Sequence, residues 1–257
     1  MRHLGRLAVG MALVLLWVGL AAAADNTETF DQTYPLAADG RVSVENINGD
    51  LNVEVWDRNE VHVVALKEAE SAEALEGLKV NVDASANSLS IETKYPSSDG
   101  WGFWKRGHGH MEVTYTLTIP RGARVSGVDL VNGSMSVSGV EGGVEAETVN
   151  GAIRARSVRG LVELSTVNGT LEVEYGQLER TDRIHLESVN GTIELTLPKS
   201  TGAEIQAETV NGSIRNDFGI EVKKGRWVGS SMRGTIGNGG GDVSLETVNG
   251  AIRVNAS

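Results

Sequence analysis

Few residues in this chain are spaced for chemistry. His108-Gly109-His110 places two imidazoles near one another, the start of a metal site, but a third ligand is not evident and none is assigned. Glu187 and Glu208 hold equivalent positions in successive repeats. Stacked with like charge, they would either splay into water or hold a cation between them. Gly239-Gly240-Gly241-Asp242, followed by Val243 and Leu245, has the form of one calcium-binding nonapeptide. Such sites share ligands between tandem copies, so this single copy reads as a glycine-rich turn.

Nucleophilic catalysis has no candidate. The 257 residues contain no Cys and no Gly-x-Ser-x-Gly elbow. His62 and His185 stand alone in strand-like contexts. Glycoside cleavage needs two carboxylates facing each other across a cleft. Here the Glu residues are distributed by a repeat, and units of about 18 residues leave little room for cleft-building loops. The sequence predicts no catalytic residue, no cofactor and no enzyme.

Binding chemistry is better represented. The stretch Tyr95 to His110 brings Trp101, Phe103 and Trp104 beside Lys105 and Arg106, in a chain that is only 5% aromatic. Exposed aromatic rings next to cations suit a glycan, an anionic headgroup or a protein partner. The same rings could instead fold back and plug an open end of the fold. Trp227 and Arg226 form a weaker version of the pattern between Lys223 and Gly241.

The elements that would position these groups come from repetition. Val-Asn-Gly occurs six times, at Asn132, Asn150, Asn168, Asn190, Asn211 and Asn249, and a variant, Ile47-Asn48-Gly49, precedes them. Spacings are 18 to 22 residues until a final gap of 38, which implies a lost turn or an insertion. Around each Asn-Gly the apolar residues alternate with period two, as at Ile153, Ala155, Val162, Leu164 and Val167, or Ile205, Ala207 and Val210. This gives two short strands per unit, each with one face inward. Asn-Gly between such strands is also a hairpin signal, because both residues accept the positive φ of a type I′ turn; that reading gives an antiparallel sandwich or meander. A hairpin does not require the same flanks at every turn, whereas stacking does. The pattern therefore favours an all-β, β-solenoid-like stack of 18–22-residue coils. In that stack Arg154 should sit over Glu172 and Glu194 over Arg215.

Three regions follow. Residues 1–24 carry Arg2 and Arg6 ahead of an apolar run from Leu7 to Leu20 and a small-residue stretch at Ala22 to Ala24, the pattern of a secretory signal removed before Asp25. Residues 25–120 alternate less regularly, with a short helix expected between a Ser71 cap and Gly77, and should extend or cap the stack. Residues 121–257 hold the repeats. Loss of the signal removes two of 23 bases and none of 34 acids, taking the net charge from −11 to −13. Such acidity argues against nucleic acid, whose phosphates require Lys and Arg. No later segment has the length and apolarity of a membrane span. Export to the periplasm, cell surface or medium is expected, with a disulfide-free core suited to a bacterial envelope.

WDRNEV at Trp56, YTLTIPRGARV from Tyr115 and the succeeding VNG units resemble the "putative adhesin" family of bacterial secreted proteins, over roughly Val42 to Val254. The resemblance implies a solenoid-like fold and an envelope location, and it brings no catalytic residues. The function expected is a non-enzymatic, adhesin-like or envelope-associated module presenting a rigid repeat surface to a glycan or protein. The alternatives are a cell-wall glycan-binding protein or enzyme using residues 95–110, and a periplasmic envelope-stress sensor.

Overall fold

Alternation of apolar and polar residues gives every unit two strands, and the strands join two different sheets. The structure is a computed structural model that describes residues 26–96, 109–225 and 228–257. The eleven-strand sheet contains, in spatial order, β5 (Lys79–Ala84), β6 (Ser88–Lys94), β2 (Arg41–Asn48), β8 (Arg124–Asn132), β10 (Val144–Asn150), β12 (Leu161–Asn168), β14 (Arg183–Asn190), β20 (Gly241–Asn249), β16 (Ala203–Asn211), β19 (Ser230–Ile236) and β18 (Val222–Lys224). The ten-strand sheet runs β1 (Asn26–Pro35), β4 (Glu60–Ala69), β7 (Met111–Pro120), β3 (Leu51–Trp56), β9 (Met135–Ser138), β11 (Ile153–Val158), β13 (Leu171–Tyr175), β15 (Ile193–Leu197), β21 (Ile252–Ala256) and β17 (Ile214–Asn216).

Each Asn-Gly leads from the first sheet to the second, so the strands on either side of it do not pair with one another. Equivalent strands of different units pair instead, parallel and in register: Asn150 lies opposite both Asn132 and Asn168, and Ile153 opposite both Met135 and Leu171. The hairpin geometry is absent too. Of the VNG and ING glycines only Gly49 has a positive φ, and none of the asparagines does. Glycine is required there for close approach. A Cβ on Gly151, Gly169, Gly191, Gly250 or Gly212 would collide with the carbonyl oxygen of the neighbouring unit's turn glycine.

The interior is a set of aliphatic rows shared by both sheets. Val144, Val162, Ile184 and Val243 form one row, and Ile153, Leu171, Ile193 and Ile252 another, all fully buried. Two positions read as inward face out. Val167 and Val210 are exposed, and the inward neighbour in each case is the buried Thr166 or Thr209. These hydroxyls donate to the turn carbonyls of the adjacent unit, Thr166 Oγ1 to Gly151 O at 3.2 Å and Thr209 Oγ1 to Gly250 O at 3.0 Å. Burying a hydroxyl is tolerated there because it is satisfied.

The order of units also differs from the order in the chain. After β16 and β17 the chain detours through antiparallel β18 and β19, then returns as β20 and β21 between the Asn190 and Asn211 units. The 38-residue gap is this detour. Glu194 consequently pairs with Arg253 and not with Arg215, which lies beside Arg253. The expected Arg154–Glu172 contact is present, Nε to carboxylate 3.3 Å.

At the other end, β1 and β4 add antiparallel strands to one sheet and β5 adds one to the other. The helix α1 (Ala72–Gly77) starts where Ser71 Oγ accepts from Ala74 N at 3.1 Å. Beneath it the buried Lys67 Nζ reaches Glu28 Oε2 at 2.8 Å and Leu78 O at 3.2 Å.

Candidate functional site: two rows on the eleven-strand sheet

The seven turn asparagines come together in one line. Asn132 Nδ2 donates to Asn48 Oδ1, Asn150 to Asn132, Asn168 to Asn150, Asn190 to Asn168, Asn249 to Asn190 and Asn211 to Asn249, at 2.8–3.0 Å. Every amide therefore points the same way along the stack. At the Asn48 end, Nδ2 turns to Met111 O at 3.2 Å, and Tyr95 takes the place of the next asparagine. Its hydroxyl accepts from Asn48 N at 2.9 Å and donates to Asn46 Oδ1 at 3.0 Å. Burial pushes the Tyr95 phenol above its ordinary pKa. These contacts tie each turn to the next.

One residue before the ladder lies a row with no structural partner. Ile47, Val131, Val149, Val167, Val189, Val248 and Val210 are 36–49% exposed, and strand register places them one above another. Consecutive strands stand ~4.8 Å apart, so seven members make a ridge of about 29 Å. Beta-branched side chains are stiff, which gives this ridge a fixed shape.

Two residues further back along each strand, on the same outer face, runs a row of seven positions of which all but Ser165 are acidic: Glu45, Asp129, Glu147, Ser165, Glu187, Glu246 and Glu208. Glu145 and Glu163 flank it. Among the described residues the one basic side chain within 4.0 Å of a carboxylate of this row is His185, whose Nε2 is 4.0 Å from Glu187 Oε2. Between the two rows are shallow grooves. One of about 340 Å³ has Glu147, Glu187, Val149 and Val167 in its lining. Another, about 420 Å³, is lined by Glu187, Glu246, Glu208, Val248, Val210 and Val228.

The predicted site residues are distributed as follows. Trp101, Phe103, Trp104, Lys105, Arg106 and His108 lie outside the described residues, as do Arg226 and Trp227. His110 meets Glu112 at 3.1 Å. Glu187 and Glu208 are not neighbours, because Glu246 is inserted between them, so neither their direct stacking nor the alternative of a cation held between that pair has a geometric basis. Among the described residues no group of three or more His, Asp or Glu could hold a metal ion. The ridge was readable in advance: with Leu164 and Thr166 inward, period two sends Val167 out.

Outside the rows, Trp56 stacks on His62 with centroids 6.3 Å apart, Arg58 lies 4.8 Å over the Trp56 ring, and His62 Nε2 meets Asp31 at 2.8 Å. This cluster pins the β3–β4 connection through cation–π and stacking contacts.

No helix among the described residues is long and apolar enough to cross a membrane. No curated protein matches the chain. A crystal structure of a putative cell adhesion protein from Clostridium sporogenes shares the fold, with a TM-score of 0.51 and 13% identity over 90% of this chain and all of that one. A putative adhesin from Bacteroides fragilis aligns with a TM-score of 0.44 and 12% identity over 88% of this chain and 97% of its own. Residues 32–255, from the middle of β1 to the end of β21, match the family described as Toastrack DUF4097, and the chain belongs to that family.

Proposed function

We propose that this protein is an exported, non-enzymatic interaction module of the cell envelope, an axial β-solenoid that presents the outer face of its eleven-strand sheet to a partner. The observation that carries the proposal is the exposed aliphatic ridge running beside a row of carboxylates. The core does not account for either row: the valines leave 36–49% of their surface to solvent, and like charges spaced at ~4.8 Å repel. An apolar strip rimmed by charge is the usual composition of a binding surface. A repeated, rigid face also suits many weak contacts made at once. The adhesion name carried by the Clostridium sporogenes protein agrees with this reading. The carboxylates are set at backbone spacing on an open face, which suits display more than acid–base chemistry across a cleft.

The test uses the mature protein immobilised and challenged separately with envelope membrane proteins, cell-wall glycan and lipid vesicles. Wild type should retain one of these fractions. A variant of the ridge face (Val149→Ser, Val167→Ser, Glu147→Lys, Glu187→Lys) should lose it, and a variant of the opposite face (Arg154→Ser, Arg253→Ser) should keep it. Equal retention by both variants, or release of soluble sugar from the glycan, would overturn the proposal.

A further inference from the structure

The geometry points to a basic amphipathic helix of a partner protein as the occupant of the ridge face, and we infer that an apolar stripe of that helix seats on the valine row while an adjoining Lys/Arg stripe seats on the carboxylate row. This rests on the functional reading above and names the chemistry of its partner.

Three observations select that occupant. The first is charge. Glu45, Asp129, Glu147, Glu187, Glu246 and Glu208 form one line with Glu145 and Glu163 beside it, and among the described residues only the His185 imidazole comes within 4.0 Å of any of these carboxylates. Anionic lipid headgroups are repelled by such a line. A second copy of this chain, docked face to face, would set one carboxylate row against another. The complement is a row of cations.

The second is period. Row members step by ~4.8 Å, while an extended peptide laid along the row shows a side chain to it every ~6.8 Å and slips about 2 Å per step, losing register after two steps. A helix shows one residue per 5.4 Å turn and slips by about 0.6 Å per step, within the reach of flexible Leu and Lys side chains. Over the ~29 Å ridge the helix drifts by roughly 3.6 Å, about two-thirds of a turn, and roughly 19 residues cover the distance.

The third is width. Valine and carboxylate rows are two residues apart along each strand, about 7 Å. Two adjacent side-chain stripes on a helix of 10–12 Å diameter lie about 7–8 Å apart. Both stripes can therefore be met at once. The grooves between the rows, with Val149, Val167, Glu147 and Glu187 in their walls, supply the concavity.

The experiment measures fluorescence anisotropy of three labelled peptides of that length against the mature protein. One carries a Leu stripe beside a Lys stripe, one is its scrambled isomer, and one has Glu in place of Lys. The patterned peptide should bind and the other two should not. Val149→Ser/Val167→Ser/Val189→Ser and, separately, Glu147→Gln/Glu187→Gln should each weaken binding by at least about tenfold, the valine variant at all salt concentrations and the glutamine variant chiefly at low salt. Unchanged melting transitions certify that the variants fold. Val248→Ser/Val210→Ser, at the end of the ridge, gives an independent weakening. Equal binding of the scrambled peptide, no binding of the patterned one, or indifference to both sets of substitutions would each overturn the inference. If envelope capture still depends on the ridge face while the patterned peptide fails, only the helix assignment falls. If capture does not depend on that face, the functional reading falls with it.

Discussion

The two outer faces of the stack obey the same register and answer it differently. On the ten-strand sheet the row four residues after each asparagine reads Asn52, Ser136, Arg154, Glu172, Glu194, Arg253, Arg215 in spatial order. Each carboxylate there has a guanidinium beside it: Glu172 meets Arg154 at 3.3 Å and Arg156 at 3.1 Å, and Glu194 meets Arg253. On the eleven-strand sheet, six of the seven positions three residues before the asparagine are acidic and the seventh is Ser165. Parallel in-register stacking magnifies whatever a unit carries, because each side chain meets its own counterpart. The first face changes sign at the Arg154–Glu172 and Glu194–Arg253 steps, which turns part of this into attraction, while Glu172 adjoins Glu194 and Arg253 adjoins Arg215. The second lets it accumulate as a single-sign field beside an apolar ridge. Exposed pairs contribute only about 0.2–1 kcal/mol each, so the acidic face is affordable to a core this large.

The comparison presumes a shared interior that holds successive units in contact, and its sharpest break is there. Gly191→Ala would drive a methyl into the Gly169 carbonyl and separate both sheets at once. A loss of more than about 3 kcal/mol is expected in denaturant titration, with both faces disordered together.

A smaller, pH-gated break is available at Tyr115, a fully buried residue of β7 whose hydroxyl is 2.8 Å from Thr93 Oγ1. Burial pushes its pKa up to about 12. The folded state then keeps the proton while the unfolded state loses it near pH 10, so the stabilisation is complete below pH 10 and is lost as pH rises toward 12. Two units correspond to about 2.7 kcal/mol. Tyr175, raised further by burial and by Asp182, adds in the same direction. Tyr115→Phe should flatten the alkaline limb of a Tm-against-pH curve, while neutral-pH capture by the ridge face stays as in wild type.

The smallest effects sharpen the contrast between faces. Arg154→Glu places a carboxylate beside Glu172 and should cost about 0.5–1 kcal/mol at low salt, whereas Glu147→Gln relieves repulsion from Asp129 and should be neutral or stabilising by a few tenths. Thermal melts at low and high salt should show opposite signs that converge as salt rises. Like signs at low salt would mean that the two faces are electrostatically equivalent.

Much of this was legible in the sequence. Period-two alternation located the strands, Ser71 and Gly77 bounded the helix, and the recurrence of Asn-Gly drew the asparagines together. Asn-Gly is ambiguous by itself, since the dipeptide that favours a hairpin turn also permits the close approach of stacked turns; the repeated flanks favour stacking, and the pairing of strands shows it. The order of the last two units was hidden for a physical reason. Ile205 with Ala207 and Val243 with Leu245 fill the same slots, so either unit fits on the Asn190 unit, and the β18–β19 detour decides between them. The outward valines are apolar residues in an apolar pattern, and strict parity counting was needed to turn them around. β1 lacks the alternation of buried residues that marks the other strands.

That reversed order bears on how the molecule is made. Residues 241–256 follow 203–236 in the chain yet lie between the Asn190 and Asn211 units in space. While synthesis proceeds from the N-terminus, either the Asn211 unit waits undocked or it must move aside for its successor. The native arrangement therefore cannot assemble coil by coil in chain order, and a chain interrupted before residue 241 lacks a middle rung and not merely an end. Synthesis through residue 256 is thereby written into the folding route as a checkpoint.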